Sequence, residues 1–145
     1  MIVADKNFII DSPRERVWQL LLRVVMRCMP FESMELVDEK NFFARLKIGI
    51  GCIAVPMRVQ IEITDIFETE SLVTILKARG MGGMVWLNQK ATFTLTSLSE
   101  SKTQVTCNLV AQGMARLLRV FFLWRVKSFA QGSLENIESL LRQWA

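Results

Sequence analysis

The feature that most constrains this chain is a change of hydrophobic period. From Ser33 to Gln112 apolar residues recur at every second position; from Met114 to Trp144 they recur every three or four. The first pattern belongs to half-buried strands and the second to an amphipathic helix. Phe42, Ala44, Leu46, Ile48 and Ile50 alternate with Phe43, Arg45, Lys47 and Gly49. Met57, Val59, Ile61 and Ile63 alternate with Arg58, Gln60, Glu62 and Thr64. Leu72 to Arg79, then Ala91, Phe93 and Leu95, then Val105, Cys107, Leu109 and Ala111, continue the series. Short polar or glycine-rich stretches separate them, so the strands form an antiparallel meander with one face covered and one wet.

The covering element is the last one. Met114 to Trp144 has no proline and would make about 30 residues of helix, roughly 45 Å. Ala115, Leu118, Phe122, Val126, Phe129, Ala130, Ser133, Ile137, Leu140 and Trp144 form the stripe expected to pack on the sheet. A second, shorter stripe, Leu117, Val120, Phe121 and Trp124, has no partner inside a small domain. Arg116, Arg125 and Lys127 flank it, and no acid falls between Met114 and Lys127. Apolar groups ringed by cations suit a membrane interface or a protein partner, and a homodimer face is the alternative.

At the other end, Phe8-Ile9-Ile10 closes a first strand. Ser12-Pro13-Arg14-Glu15 then has the residues of a capping box, with proline at the first helical position. The helix runs through Val17, Trp18, Leu20, Leu21 and Val24. A second short helix is expected over about Val25 to Met29, ending before Pro30. The whole reads as a single α+β domain over residues 1–145. A curved antiparallel sheet of about six to seven strands wraps a long C-terminal helix, with two short helices after the first strand.

Composition narrows the chemistry. There is no histidine and no tyrosine, which removes the commonest general base, the Ser-His and Cys-His pairs and the commonest metal ligand. Cys28, Cys52 and Cys107 are odd in number and widely spaced, so they read as buried thiols rather than a zinc or disulfide framework. Nothing calls for a cofactor. No apolar run reaches the roughly 18 residues of a membrane span, and the N-terminus does not read as a signal peptide. A cytoplasmic protein is expected, with peripheral contact to the inner face of the membrane as an extension of that reading. The formal charge of +4 suits an anionic surface or acidic partner without requiring one. Lysines and arginines outside the helix read as scattered among acids, and no nucleic-acid motif stands out.

The order of these elements, with these residues, resembles the START-like helix-grip domains, which include the birch-pollen allergen and the polyketide cyclases. Within them the chain looks most like the CoxG family, which takes its name from a component of carbon monoxide dehydrogenase. The matching stretches are Pro13-Arg14-Glu15-Arg16-Val17-Trp18, Cys28-Met29-Pro30, Phe43 to Gly51, Arg79-Gly80-Met81-Gly82-Gly83 and Thr103-Gln104-Val105-Thr106. Two positions depart from the pattern: Phe31 stands where a glycine is usual, and Cys52 where a proline is common. The resemblance implies an apolar cavity between sheet and helix, and an accessory role for a membrane-associated molybdenum hydroxylase. The group typically carries a membrane-directed extension. Here the chain stops at Ala145, so membrane contact is expected from the domain itself.

The cavity would be lined by Leu46, Ile48, Met57, Val59, Ile61, Leu76, Ala78, Phe93 and Leu95 from the sheet, and by Ala115, Leu118, Phe122 and Val126 from the helix. The plain alternative is that these side chains fill a core. Gln89 and Arg119 fall on or near inward positions and would fix a ligand's polar group. Alternatively, Gln89 lies beyond the covered part of its strand and Arg119 snorkels to water. The expected function is non-enzymatic carriage of a quinone, lipid or polyketide-like molecule. An aromatase/cyclase-like enzyme needs an inward carboxylate or lysine, for which Glu62 and Asp65 are weak candidates. A dimerising interaction domain is the third reading.

Overall fold

The computed structural model describes residues 2–27, 31–50, 53–115 and 119–145. Side chains at 2, 26, 48–50, 53, 114, 115 and 119–125 lie outside the described set. In chain order the elements are β1 (Ile2–Ile10), α1 (Arg14–Arg27), β2 (Ser33–Leu36), β3 (Asn41–Ile50), β4 (Ile53–Phe67) and β5 (Ser71–Gly80). A 3-10 turn (Met81–Gly83) leads to β6 (Val85–Ser99), β7 (Lys102–Ala115) and α2 (Arg119–Trp144). All seven strands join one antiparallel sheet in the order β1-β7-β6-β5-β4-β3-β2.

The alternation places the faces as the residue pattern requires. Phe42, Ala44 and Leu46 on β3, Met57, Val59, Ile61 and Ile63 on β4, and Val105, Cys107, Leu109 and Ala111 on β7 are all buried. Their neighbours in sequence point outward. The alternation slips once on β4, at a register shift between Ile63 and Asp65. An extra residue there bends the strand, and Ile66 and Phe67 beyond it are exposed. The β2–β3 turn is held by Asp38, whose carboxylate accepts from the Lys40 backbone N–H at 2.8 Å and from Asn41 Nδ2 at 3.0 Å. Those hydrogen bonds, the Lys40 N–H first, hold the Asp38 carboxyl below its ordinary value.

Helix α1 is continuous to Arg27, so the second short helix expected over Val25 to Met29 is not separate within the described residues. No glycine or proline interrupts Val17 to Arg27, and an unbroken backbone ladder is the cheaper arrangement. Its first turn closes through the Val17 N–H onto the Pro13 carbonyl at 3.1 Å. The carbonyl of Ser12 accepts from the buried hydroxyl of Thr103 on β7 at 2.8 Å, which ties the helix entry to the sheet. Val17, Leu20, Leu21 and Val24 are the buried face.

Helix α2 starts later than its apolar pattern suggests. Met114 and Ala115 belong to β7, opposite Trp86 and Val85. While β6 still offers a backbone partner, ladder hydrogen bonds extend the strand at the helix's expense. Ala115 is therefore a strand residue, not a helical lining residue. The described helix, Arg119–Trp144, has 26 residues and spans about 39 Å. The buried stripe is Val126, Ala130, Ser133, Leu134, Ile137 and Leu141. It is turned slightly from the expected one: Leu134 and Leu141 enter the core, whereas Phe129, Leu140 and Trp144 are partly buried flanks. The reason is that α2 packs against α1 as well as the sheet. Arg16 of α1 donates to the Trp144 carbonyl at 3.3 Å, and the Arg27 guanidinium lies 5.4 Å from the Trp144 ring centroid.

The helix touches β1 and β7 at one edge of the sheet and β3 near the other. Strands β1 and β3 stand five places apart, about 24 Å at ~4.8 Å per strand. One helix ~10 Å wide meets both only if the sheet curls or the helix crosses it obliquely, and the right-handed twist of strands favours both.

Candidate functional site

The candidate site lies where the curled sheet faces both helices. Ile61 of β4, Thr74 and Leu76 of β5, Gln89, Ala91 and Phe93 of β6, and Leu109 of β7 form its floor. Val25 of α1, with Ser133 and Ile137 of α2, forms its roof. These are inward positions of four neighbouring strands, aligned by register: Gln89 stands opposite Leu76 on one side and Ala111 on the other.

The space they enclose is about 30 Å³. That admits about two water molecules, against roughly 300–1,000 Å³ for a drug-sized ligand. The described side chains around it are thus closely packed.

Polarity distinguishes this chamber from an ordinary core. Gln89 is 5% exposed, and its Oε1 has no hydrogen-bond partner. Leaving a buried acceptor unpaired costs about 1–3 kcal/mol. Ser133 cannot relieve it as a donor while its Oγ donates to the Phe129 carbonyl at 2.9 Å. Thr74 is buried beside it. Gln89 therefore lies under the covered part of the sheet, not beyond it, and faces the interior with an unused acceptor.

Of the residues expected to line a cavity, Leu46, Met57, Val59, Ile61, Leu76, Ala78, Phe93, Leu95 and Val126 are all buried. Ile61, Leu76, Gln89 and Phe93 converge on the chamber. Residue 118 lies outside the described residues, as do the side chains of Ile48, Arg119 and Phe122. The same holds for most of the expected contact patch: residues 116 and 117, and the side chains of Val120, Phe121, Trp124 and Arg125. Lys127 is exposed. Ala91, Leu109, Ser133 and Ile137 lie on faces the residue pattern placed inward without being singled out as lining; Thr74 is in phase with Leu76, and Val25, expected to start a separate short helix, faces the chamber because α1 runs on to Arg27.

No ionisable side chain lines the chamber among the described residues. Glu62 and Asp65 are both exposed on β4. The acid–base group that a cyclase-like reaction requires is thus missing from this described chamber. Among the described residues no helix is long and apolar enough to cross a membrane.

Comparison with known proteins agrees with this geometry. Residues 7–120 match the CoxG family of carbon monoxide dehydrogenase subunits. No curated protein matches the chain. Among solved structures, a conserved protein from Geobacillus kaustophilus superposes with a TM-score of 0.75 at 22% identity, covering 98% of this chain and 96% of that one. A START superfamily protein from Mycobacterium smegmatis gives 0.68 at 12% identity, over 97% and 94%. The Zhui aromatase/cyclase from Streptomyces sp. R1128 gives 0.59 at 12% identity, over 98% and 94%. At these identities the likeness is one of fold: a START-like α+β domain.

Proposed function

This chain belongs to the CoxG family of carbon monoxide dehydrogenase subunits, and we propose on that footing that it binds a lipophilic small molecule between the sheet and α2 without transforming it. The observation that carries the reading is Gln89. An unpaired amide oxygen beneath two helices, walled by Ile61, Leu76, Phe93 and Ile137, matches an apolar molecule with one polar group. The Oε1 would accept from a hydroxyl or N–H of the ligand, and a 180° turn of the amide would offer Nε2 to a carbonyl instead. A quinone or quinol, a lipid, or a polyketide-like molecule has this form.

Family membership supports the setting: an accessory protein that delivers or holds this molecule for a membrane-associated redox enzyme, such as a molybdenum hydroxylase. The lack of an ionisable group around the described chamber favours carriage over catalysis.

The test is native mass spectrometry of protein purified without detergent, followed by solvent extraction. A stoichiometric lipophilic molecule is expected, and the Gln89→Met variant should retain at least about tenfold less of it. If the purified protein carries none and takes up none from a supplied quinone or fatty acid, the carrier reading fails.

A further inference from the structure

The outward face of the same sheet carries a feature that the chain's linear order conceals. Arg45 on β3 stands directly opposite Arg58 on β4, and Arg58 stands opposite Arg79 on β5. Lys77 lies two residues from Arg79 on the same face. All four are exposed and line one open groove of about 1,170 Å³. Leu46, Met57 and Val59 also border it. Their side chains are buried in the core, so it is their backbone that does so. At about 4.8 Å between strands, the three guanidinium-bearing positions span only about 10 Å.

None of these four cations forms an ion pair among the described residues; Glu35 and Glu62, exposed on the same face, stand only diagonally from Arg45 and Lys77. The ion pairs among the described residues are Lys6 with Glu138, Arg142 with Glu138, and Lys47 with Glu32. Glu32 is the groove's acid, and Lys47 already holds it at 3.6 Å. Like charges directly opposite on a sheet oppose folding, so the arrangement is relieved when an anionic surface meets it.

The rim indicates which anionic surface. Met81 and Met84 are exposed at the β5–β6 turn, and Phe43 is exposed on β3. Gly82 and Gly83 give this turn its left-handed bends, and Met81 shares that conformation at φ 54°, which a side chain adopts only against strain. An apolar tip beside a cluster of cations is the composition of a membrane-interface contact. A small anion would need only the charges. The turn also lies at the end of the sheet where β7 hands over to α2, since Val85 pairs with both Gly80 and Ala115.

We propose that the Arg45–Arg58–Arg79 row, with Lys77 and the Met81–Met84 tip, docks this domain on an anionic phospholipid bilayer. The inference rests on the carrier reading for its purpose: docking there would bring the start of α2 toward the membrane from which an apolar ligand is drawn.

The test is co-sedimentation with phosphatidylcholine vesicles, with and without about one-third phosphatidylglycerol, at low and high salt. Wild type should bind the anionic vesicles selectively and lose them as salt rises. The variant Arg45→Gln/Arg58→Gln/Arg79→Gln should bind about 100-fold more weakly, at roughly fivefold for each cation removed. It should melt no lower than wild type, because repulsion has been relieved. The lysine counterpart, Arg45→Lys/Arg58→Lys/Arg79→Lys, should keep most of the binding, and Met81→Ser/Met84→Ser should weaken it. Equal binding to both vesicle types, or undiminished binding by the glutamine variant, overturns the proposal. So does displacement from vesicles by low inorganic phosphate at constant ionic strength, which would make the groove a small-anion site. Binding to polyglutamate that exceeds binding to vesicles would also overturn it, in favour of an acidic protein. Ligand retention measured on the same proteins by mass spectrometry reports on the carrier reading separately, so either can fail alone.

Discussion

Lys6 Nζ lies 3.0 Å from Glu138 Oε1, an ion pair that fastens the edge strand β1 to the C-terminal half of α2. Both side chains are largely covered, and Glu138 also accepts from Arg142 Nε at 3.2 Å. Burial by itself would raise the Glu138 carboxyl. The hydrogen bonds from Lys6 and Arg142 outweigh it and hold the carboxyl below its ordinary value of 4.5. A lowered folded value means that the carboxylate form stabilises the fold. The contribution is whole above the unfolded value and is lost as pH falls through the folded one. Thermal melts from neutral pH to about pH 3 should show a loss of stability in wild type that is smaller in Glu138→Gln. At neutral pH, Glu138→Gln should cost about 0.5–1 kcal/mol, with the pair still partly open to solvent. Equal acid sensitivity in both proteins would show that other carboxylates dominate.

Gln89→Met should act in opposite directions on stability and on ligand binding. The substitution keeps an unbranched side chain of similar length and removes the unpaired Oε1. The ligand-free protein should gain about 1 kcal/mol in chemical denaturation, while ligand retention falls. A ligand-free protein destabilised by the change would mean that the amide already has its hydrogen bond, from an enclosed water.

Two glycines should respond oppositely to alanine. A Cβ on Gly80 would sit 2.6 Å from Met57 Sδ and 2.6 Å from the Pro56 carbonyl oxygen. The methionine end can move, but the backbone oxygen cannot without disturbing β4. Gly80→Ala should therefore cost about 1–3 kcal/mol. A Cβ on Gly132, inside α2, meets nothing within 4 Å. Gly132→Ala should stabilise by about 0.5–1 kcal/mol. Differential scanning calorimetry of the two variants checks both signs.

Thr103→Val should cost about 1–2 kcal/mol in urea denaturation. It keeps the buried shape but leaves the Ser12 carbonyl without the Thr103 hydroxyl, now 2.8 Å away. Thr103→Ser, which keeps the hydroxyl, should recover part of the loss. A serine variant no better than the valine one would place the effect in the lost methyl packing.

The amino-acid sequence by itself determined the faces of this domain. Strand side chains alternate with a period of two, so Phe42-Ala44-Leu46 and Met57-Val59-Ile61 could only point together, and they do. The Ser12-Pro13 signal marked where α1 begins, and the element order with its motifs marked the family. These are properties of neighbouring residues, carried by local geometry. What local geometry lacks is the offset between distant segments. Where β7 ends and α2 begins depended on how far β6 extends as a partner, so Met114 and Ala115 became strand. Which side of α2 is buried depended on α1 as well as the sheet, so Leu134 and Leu141 entered the core. Gln89 read as ambiguous because only the helices overhead decide whether its strand position is covered. Arg45, Arg58 and Arg79 read as scattered because each sits among different neighbours in the chain. Cross-strand register alone puts them in one row, and no spacing within a single strand encodes it.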